Sequence, residues 1–289
     1  MLKLIKESDL LIAIGGRLSE IASQSYTLLD IPQPQMTFVH VHPGAEEIGR
    51  VYQAHLPIQA SPTAFAASLE GVQPPQTIAW AGAAKAAHES YLAWTGNPAR
   101  LPGAFQYGEV MAWLRDRLPD DAIVCNGAGN YATWVHRFLR FRKYGSQLAP
   151  TSGSMGYGTP AAVGAKRMHP DKTVIAFAGD GCFMMNGQEF ATACQYDLPI
   201  IVVVVDNGMY GTIRMHQERD YPNPDFAALA RAYGGHGETV RETAEFAPAF
   251  ERALASGKPA IIHCFLDQQA ITPTTTIEAI RAKALAGKA

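Results

Sequence analysis

A doubly wound, mostly parallel α/β sheet is the fold this sequence predicts, preceded by part of a Rossmann-like domain. Two observations carry it. From Gly103 onward, short apolar runs alternate with helical stretches, the pattern of strands joined by helical crossovers. Two of those runs, 173–178 (TVIAFA) and 200–205 (IIVVVV), lead into Gly179-Asp180-Gly181 and Asp206-Asn207-Gly208. Oxygen-bearing side chains beside glycines at strand ends stand where open parallel sheets hold ligands.

The elements follow in order. Residues 10–14 (LLIAI) read as a buried strand ending at Gly15-Gly16, residues 37–41 (TFVHV) as a second, and residues 64–69 as a helix. Residues 1–70 are therefore expected to be part of a Rossmann-like middle domain. They form an open half-sheet with an exposed face, so the chain is expected to begin inside a domain. A Pro/Gln-rich stretch starts at Gly71 (GVQPP), and 71–102 is expected to be a linker carrying one helical segment, 81–94. The main domain, 103–289, then reads as helix 106–118, strand 122–125 (AIVC), helix 157–168 and strand 173–178. Helix 187–196, strand 200–205, strand 260–266 (AIIHCFL) and helix 277–286 complete it, with a C-terminal tail. There is no internal repeat and no low-complexity segment.

Composition narrows the function classes. The 289 residues are 47% hydrophobic and 17% charged, an ordinary globular balance with room for a sizeable core. A net charge of -2 and the lack of any Lys/Arg block argue against a nucleic-acid surface. The four cysteines (Cys125, Cys182, Cys194, Cys264) form no CxxC pair, which fits a reducing compartment. No apolar run is long enough to span a membrane, and charges stand where a signal peptide needs an apolar core. A cytoplasmic location is expected.

The chemistry-bearing residues cluster around the two strand ends. Gly-Asp-Gly alone makes turns in many loops. Paired with Asn207, twenty-seven residues past Asp180, it reads as a carboxylate and an amide oxygen suited to Mg²⁺, which shares its shell with phosphate. Glycines around Gly127-Ala128-Gly129-Asn130-Tyr131, after the AIVC strand, let backbone amides approach phosphate. Met155, in SGSMGYGTPAAVGAK, read by itself is more often plain core. His40 and His42 share one face of a strand, and without carboxylate or thiolate partners such a pair is more often structural than metal-binding.

With these residues in view, the chain resembles the thiamine diphosphate-dependent enzymes of the acetolactate synthase and pyruvate decarboxylase superfamily. The resemblance covers nearly the whole chain but only about the second half of a full-length member. The cofactor signature of that family begins GDG and ends NN or DN after a similar interval, and its segment G-x-M-G-x-G-x-P-A-A-x-G-A is closely similar to 153–165 here. The resemblance implies that Asp180 and Asn207 bind Mg²⁺ through side-chain oxygens and Met209 through its backbone carbonyl. Two diphosphate oxygens and a water would complete the octahedral shell. It implies that the Gly153 carbonyl meets the aminopyrimidine and that Met155 is the apolar wedge bending the cofactor, which makes these two the catalytic candidates. Gly129, Asn130, Ser154, Gly181, Cys182 and Tyr210 join them as cofactor contacts. Relatives carry a Gly-Gln-His type segment where Gly129-Asn130-Tyr131 stands. They often have Ser or Ala where Cys182 stands, so Cys182 reads as a small filler with a useful N–H rather than a nucleophile.

Other positions depart from the family pattern. VHVHPGAEEIGR resembles a middle-domain segment that usually reads I-x-I-D, with His42 replacing the acid. Gly15-Gly16-Arg17 resembles a glycine turn without GxGxxG, so FAD, found in some relatives, is only a weak expectation. Acetolactate synthases usually have Met at the Thr212 position and Trp at the His216 position, so the chain departs from the standard enzyme there. His216 reads equally as facing substrate or as a solvated helix histidine. Residues 271–276 resemble a tail near the site mouth, a lid or simply a helix cap by Thr276.

The resemblance implies a 2-oxo acid decarboxylase or carboligase, a lyase or transferase, oligomeric when complete. It also implies something missing. In the family a pyrimidine-binding domain supplies the glutamate that protonates the aminopyrimidine, and neither Glu189 nor Glu218 lies in a segment like that motif. Two functions follow: the diphosphate half of such an enzyme, needing that domain from a missing N-terminal half or a partner chain, or a non-catalytic module that holds the cofactor and Mg²⁺.

Overall fold

The computed structural model describes residues 2–73, 75–214 and 223–286, apart from the side chains of Thr212 and Arg214. It divides the chain into two compact units, Met1–Ser90 and Tyr91–Ala289.

In the first unit, helix α1 (Leu2–Lys6) precedes strands β1 (Leu10–Ile14), β2 (Thr37–His42) and β3 (Leu56–Gln59), and α2 (Pro62–Ser68) follows. The three strands are parallel in the order β1-β2-β3. Helix α2 starts at Pro62, two residues before the expected 64, because of a local cap. The Ser61 hydroxyl accepts the Ala64 N–H at 3.1 Å, and Pro62 occupies the first turn, where a missing N–H costs nothing. Leu28, Leu29, Met36, Phe38 and Tyr52 form a small core. Leu10, Ile12 and Ile14, alternate residues of β1, remain exposed, so β1 is not the buried strand its apolar run suggests: only its other face packs on the small core. The histidine pair is held by backbone. His40 Nε2 lies 2.9 Å from the Gly16 carbonyl, and His42 Nδ1 accepts the Gly44 N–H at 3.0 Å.

In the chain's next stretch α3 (Ala83–Gly96) runs across the boundary between units. The second unit continues with α4 (Tyr107–Arg117), β4 (Ile123–Asn126), α5 (Ala132–Phe138), β5 (Gln147–Leu148), α6 (Gly158–Met168) and β6 (Val174–Gly179). Then come α7 (Asp180–Asn186), α8 (Glu189–Gln195), β7 (Ile201–Asp206), α9 (Gly211–Arg214), α10 (Phe226–Ala232), β8 (His236–Val240), α11 (Thr243–Ala255) and β9 (Ala260–Phe265). A hairpin, β10 (Ala270–Thr272) with β11 (Thr275–Thr276), leads into α12 (Ile277–Ala286).

Six of these strands form one parallel sheet in the order β5-β4-β6-β7-β9-β8. Strand residues alternate between its faces. Val124, Ile175, Phe177, Ile201, Val203, Val205 and Ile262 pack beneath α4, α5 and α11. Ile123, Val174, Ala176, Ala178, Val202, Val204 and Ile261 pack beneath α6, α8 and α10. Because both faces are covered, β4, β6 and β7 are buried at every position and read as unbroken apolar runs. The chain leaves β4 for β5 on one side and returns to β6 on the other. The β4/β6 boundary is therefore a topological switch point, where the carboxyl ends of the strands leave a crevice.

Several elements lie beyond those expected from the sequence, among them α5, α7, α10, α11 and the edge strand β8. The consequential one is α7. Asp180, expected just past the end of a strand, is the first residue of this helix.

Candidate cofactor site

The carboxyl ends of β4, β6 and β7 open on one cavity of about 340 Å³, within the size range of small-molecule sites. Its lining contains the loop after β4 (Gly129, Asn130), the turn before α6 (Gly153, Met155), the start of α7 (Asp180, Gly181, Cys182) and the segment after β7 (Asn207, Met209, Tyr210). These are all the cofactor candidates but one. Ser154 is exposed, its hydroxyl 2.8 Å from that of Ser152, and it is not part of this lining. His216 and Glu218, and the side chain of Thr212, lie outside the described residues. Glu189, on α8, accepts a hydrogen bond from the Thr192 hydroxyl at 3.1 Å.

Sheet register explains why Asp180 and Asn207 border one cavity. Gly179 pairs with Val205 in the β6–β7 ladder, so Asp180 and Asp206 follow as the next positions of adjacent strands, and Asn207 is one residue further. Asp180 is 3% and Asp206 5% exposed. Asp206 turns away from the cavity lining. Its Oδ1 accepts the Gly208 N–H at 2.8 Å, and its Oδ2 lies 2.8 Å from His263 Nε2 on β9. Burial raises the Asp206 carboxyl, but the bonds from His263, Gly208 and Asn223 outweigh it and hold the group below the usual carboxylate range. Asn223 Nδ2 donates to Asp180 Oδ2 and to Asp206 Oδ1, each at 2.7 Å. Asn207 Oδ1 accepts the Met209 N–H at 3.3 Å, a turn that fixes the backbone of the third ligand candidate. The Met209 side chain is buried with Ile271 and Ile277, which anchors that turn from behind.

Cys182 joins three loops. Its Sγ accepts the Gly156 N–H at 3.2 Å and lies 3.3 Å from the Tyr131 hydroxyl. A Cβ on Gly127 would collide with the same sulfur, so the β4 loop can approach only as glycine. Burial, helped by the neighbouring Cys182, pushes the Tyr131 hydroxyl well above its ordinary value, so it stays protonated. Burial likewise pushes the Cys125 thiol up to about 12.

Met155 is held between Gly153 and Gly156, both at positive φ (69° and 83°). It is 36% exposed and lines the cavity, so plain core does not describe it. Trp134, Val205, Leu266, Ala270 and Ile271 supply apolar wall. Ala270 and Ile271 belong to the tail hairpin, and Thr276 Oγ1 accepts the Ala279 N–H at 3.1 Å, the cap expected of it.

The donor chemistry fits a hard cation beside a diphosphate. The Asp180 carboxylate, the Asn207 amide and the residue Met209 with its backbone carbonyl border the cavity, and the lining adds the polar side chains of Asn130, Tyr131 and Tyr210 and several glycines whose backbone can approach phosphate. Among the described residues no group of three or more His, Cys, Asp or Glu side chains is placed to cage a metal. A soft or all-protein metal site is not what these residues build.

The family description "Thiamine pyrophosphate enzyme, C-terminal TPP binding domain" matches residues 127–264, and its "central domain" counterpart matches residues 1–69. The chain belongs to the thiamine pyrophosphate enzymes. Among curated relatives of this family, it is 29% identical over 276 residues to the acetolactate synthase isozyme 2 large subunit of Escherichia coli (strain K12), covering 91% of the chain and 49% of that protein. It is 31% identical over 294 residues to the acetolactate synthase large subunit of Corynebacterium glutamicum, covering 92% of the chain and 45% of the relative. The chain spans about half the length of these relatives. The fold of a thiamine diphosphate-dependent 4-hydroxybenzoylformate decarboxylase from Rhodococcus jostii RHA1 superposes with a TM-score of 0.67 at 24% identity, covering 92% of the chain and 50% of that structure.

Sequence reasoning about this thiamine pyrophosphate enzyme missed Asn223, Asp206 and His263 as neighbours of the site. His263 carries one visible signal, a histidine inside the apolar run AIIHCFL. Asn223 carries none, because its contacts lie 43 and 17 residues away. Among the described residues no helix is long and apolar enough to cross a membrane.

Proposed function

We propose that this chain is the diphosphate- and Mg²⁺-binding half of a thiamine diphosphate-dependent 2-oxo acid decarboxylase or carboligase of the acetolactate synthase type. The observation that carries the reading is the convergence of Asp180, Asn207 and Met209, from adjacent strand ends, with Gly153 and Met155 on one cavity at the switch point. Asp180 and Asn207 offer side-chain oxygens and Met209 its carbonyl to Mg²⁺. Gly129, Asn130, Gly181, Cys182 and Tyr210 face the diphosphate. The Gly153 carbonyl and the Met155 side chain orient the cofactor rings, and Trp134, Leu266 and Ile271 keep water from them.

When bound, the cofactor supplies the electron sink that 2-oxo acid decarboxylation needs. Proton delivery to its aminopyrimidine requires a carboxyl group other than Asp180, which faces the metal, and among the described residues the cavity lining holds no second one. That glutamate comes from a pyrimidine-binding domain, in a further segment or a partner chain, and this chain alone does not turn over. Calorimetry tests the reading. Thiamine diphosphate is expected to bind this chain with Mg²⁺ and to lose most of its affinity in EDTA. Equal affinity in both would overturn the metal assignment. Mixing with a pyrimidine-binding domain is expected to give decarboxylation of a 2-oxo acid that neither part shows alone.

A further inference from the structure

The contacts around Asp180 point beyond its role as a ligand. Its Oδ2 and Asp206 Oδ1 both lie 2.7 Å from one nitrogen, Asn223 Nδ2, so the two oxygens are separated by no more than twice that length. Both carboxylates are almost fully buried. Like charges this close repel strongly at low dielectric, and an amide group between them offers each a donor. The reversed amide would aim its carbonyl oxygen at both, so the orientation is fixed by charge.

Asn223 is itself held from several directions. Pro224, which follows, restricts its backbone to extended conformations. Asp225 then caps α10, its Oδ1 accepting the Ala228 N–H at 2.9 Å. The next residue, Phe226, is buried with ring centroids 5.3 Å from Phe183 of α7 and 5.0 Å from His263 of β9. The helix that carries Asp180 and the strand that carries His263 are thus both packed against Phe226, three residues past Asn223. The bridge stands on packed elements rather than on a free loop.

We propose that Asn223 is a positioning residue for the metal: its amide, tied to Asp206, sets the direction in which the Asp180 carboxylate faces the cation. The bond to Asp206 keeps the amide from following Asp180 if that carboxylate rotates, and His263 keeps Asp206 from following the amide. The chain His263–Asp206–Asn223–Asp180 thereby links the β9 strand to the ligand through hydrogen bonds of 2.7–2.8 Å. Outer partners of this kind tune metal affinity without touching the ion.

This inference rests on the Mg²⁺–thiamine diphosphate reading, and its test separates the two. Thiamine diphosphate binding to the chain is titrated with Mg²⁺ by calorimetry for the wild type and Asn223→Ala, with the ligand-free melting temperature measured alongside. The Mg²⁺ concentration for half-maximal binding is expected to rise at least about tenfold in the folded variant, with the ligand-free melting temperature lowered because two buried carboxylates lose a shared donor. An unchanged Mg²⁺ midpoint in the folded variant overturns the positioning role and leaves the site reading standing. A wild-type chain with no Mg²⁺-dependent binding overturns both. If Asn223→Ala does not fold, Asn223→Leu, close in volume and equally without a donor, is titrated in its place. Failure of both to fold shows a purely structural role and overturns the inference.

Discussion

His263 Nε2 and Asp206 Oδ2 sit 2.8 Å apart between neighbouring strands β9 and β7, with side chains only 3% and 6% exposed. A polar pair this deep stabilises the fold only while both members are present. His263→Phe keeps a ring against Phe226 and Phe265 but removes the donor, leaving a buried carboxylate short of one bond. The cost is expected at about 2–4 kcal/mol, read as a lower urea midpoint at unchanged slope. A variant as stable as the wild type would mean that Asp206 is satisfied without His263.

Asp180→Ala removes the one carboxylate that the described residues place in the cavity lining. Thiamine diphosphate affinity in Mg²⁺ is expected to fall by more than the roughly 10–100-fold that losing an outer partner costs, while circular dichroism stays native. Calorimetry with and without EDTA checks it: a Mg²⁺-dependent affinity that survives the substitution contradicts the ligand role.

Met155→Ala separates orientation from binding. The side chain is 36% exposed, so the fold should change by no more than about 0.5 kcal/mol. Diphosphate affinity should also hold, because the metal and glycine contacts are untouched. What should drop, in the enzyme assembled with a pyrimidine-binding domain, is the rate of hydrogen–deuterium exchange at the cofactor's reactive carbon, followed by NMR. A wild-type exchange rate would remove Met155 from the list of orienting residues.

How much of this was readable follows from where each signal lives. β4, β6, β7 and β9 were legible because burial on both faces forces unbroken apolar runs. α11 repeats Phe246, Ala249, Phe250 and Ala253 at helical spacing, a readable stripe that a reading centred on the cofactor motifs passed over. α7 was not legible: Asp180-Gly181-Cys182 has poor intrinsic helix preference and reads as a turn, and packing of Phe183 against Phe226 accompanies the helix. The half-buried edge strand β8, HGETV, lacks an apolar run of any kind. Within the site, the residues contributed by local motifs were visible. The Asn223 bridge arises from tertiary contacts and leaves no local pattern, and the Asp206–His263 pair leaves only the histidine inside AIIHCFL.

Glu238, on that edge strand, gives a pH test. Both its oxygens accept from Arg252 at 2.9 Å, and His236 Nε2 lies 2.8 Å from one of them. The Arg252 bond, set against partial burial and helped by His236, holds the carboxyl below its ordinary 4.5. A carboxyl depressed in the folded state stabilises above its unfolded value and loses that contribution as pH falls through the folded one. Glu238→Gln should therefore melt roughly 1–4 °C below the wild type at neutral pH. The gap should close on acidification below the usual glutamate range. A gap that widened in acid would reverse the assigned sign.

The meeting of Gly127, Cys182 and Tyr131 predicts a coupling. Gly127→Ala drives a methyl into the Cys182 sulfur and toward the Tyr131 hydroxyl, overpacking worth about 1–3 kcal/mol. Cys182→Ala removes that sulfur and with it the acceptor of the Gly156 N–H, a loss of roughly 1 kcal/mol. Residues in contact do not add. In the double variant the added methyl moves into the space the sulfur leaves, so the pair should cost clearly less than the two single changes together. Urea unfolding of the four proteins measures the difference. Strict additivity would mean that the β4 loop relaxes away from α7 on its own, and that Cys182 does not hold the two cofactor-facing loops together.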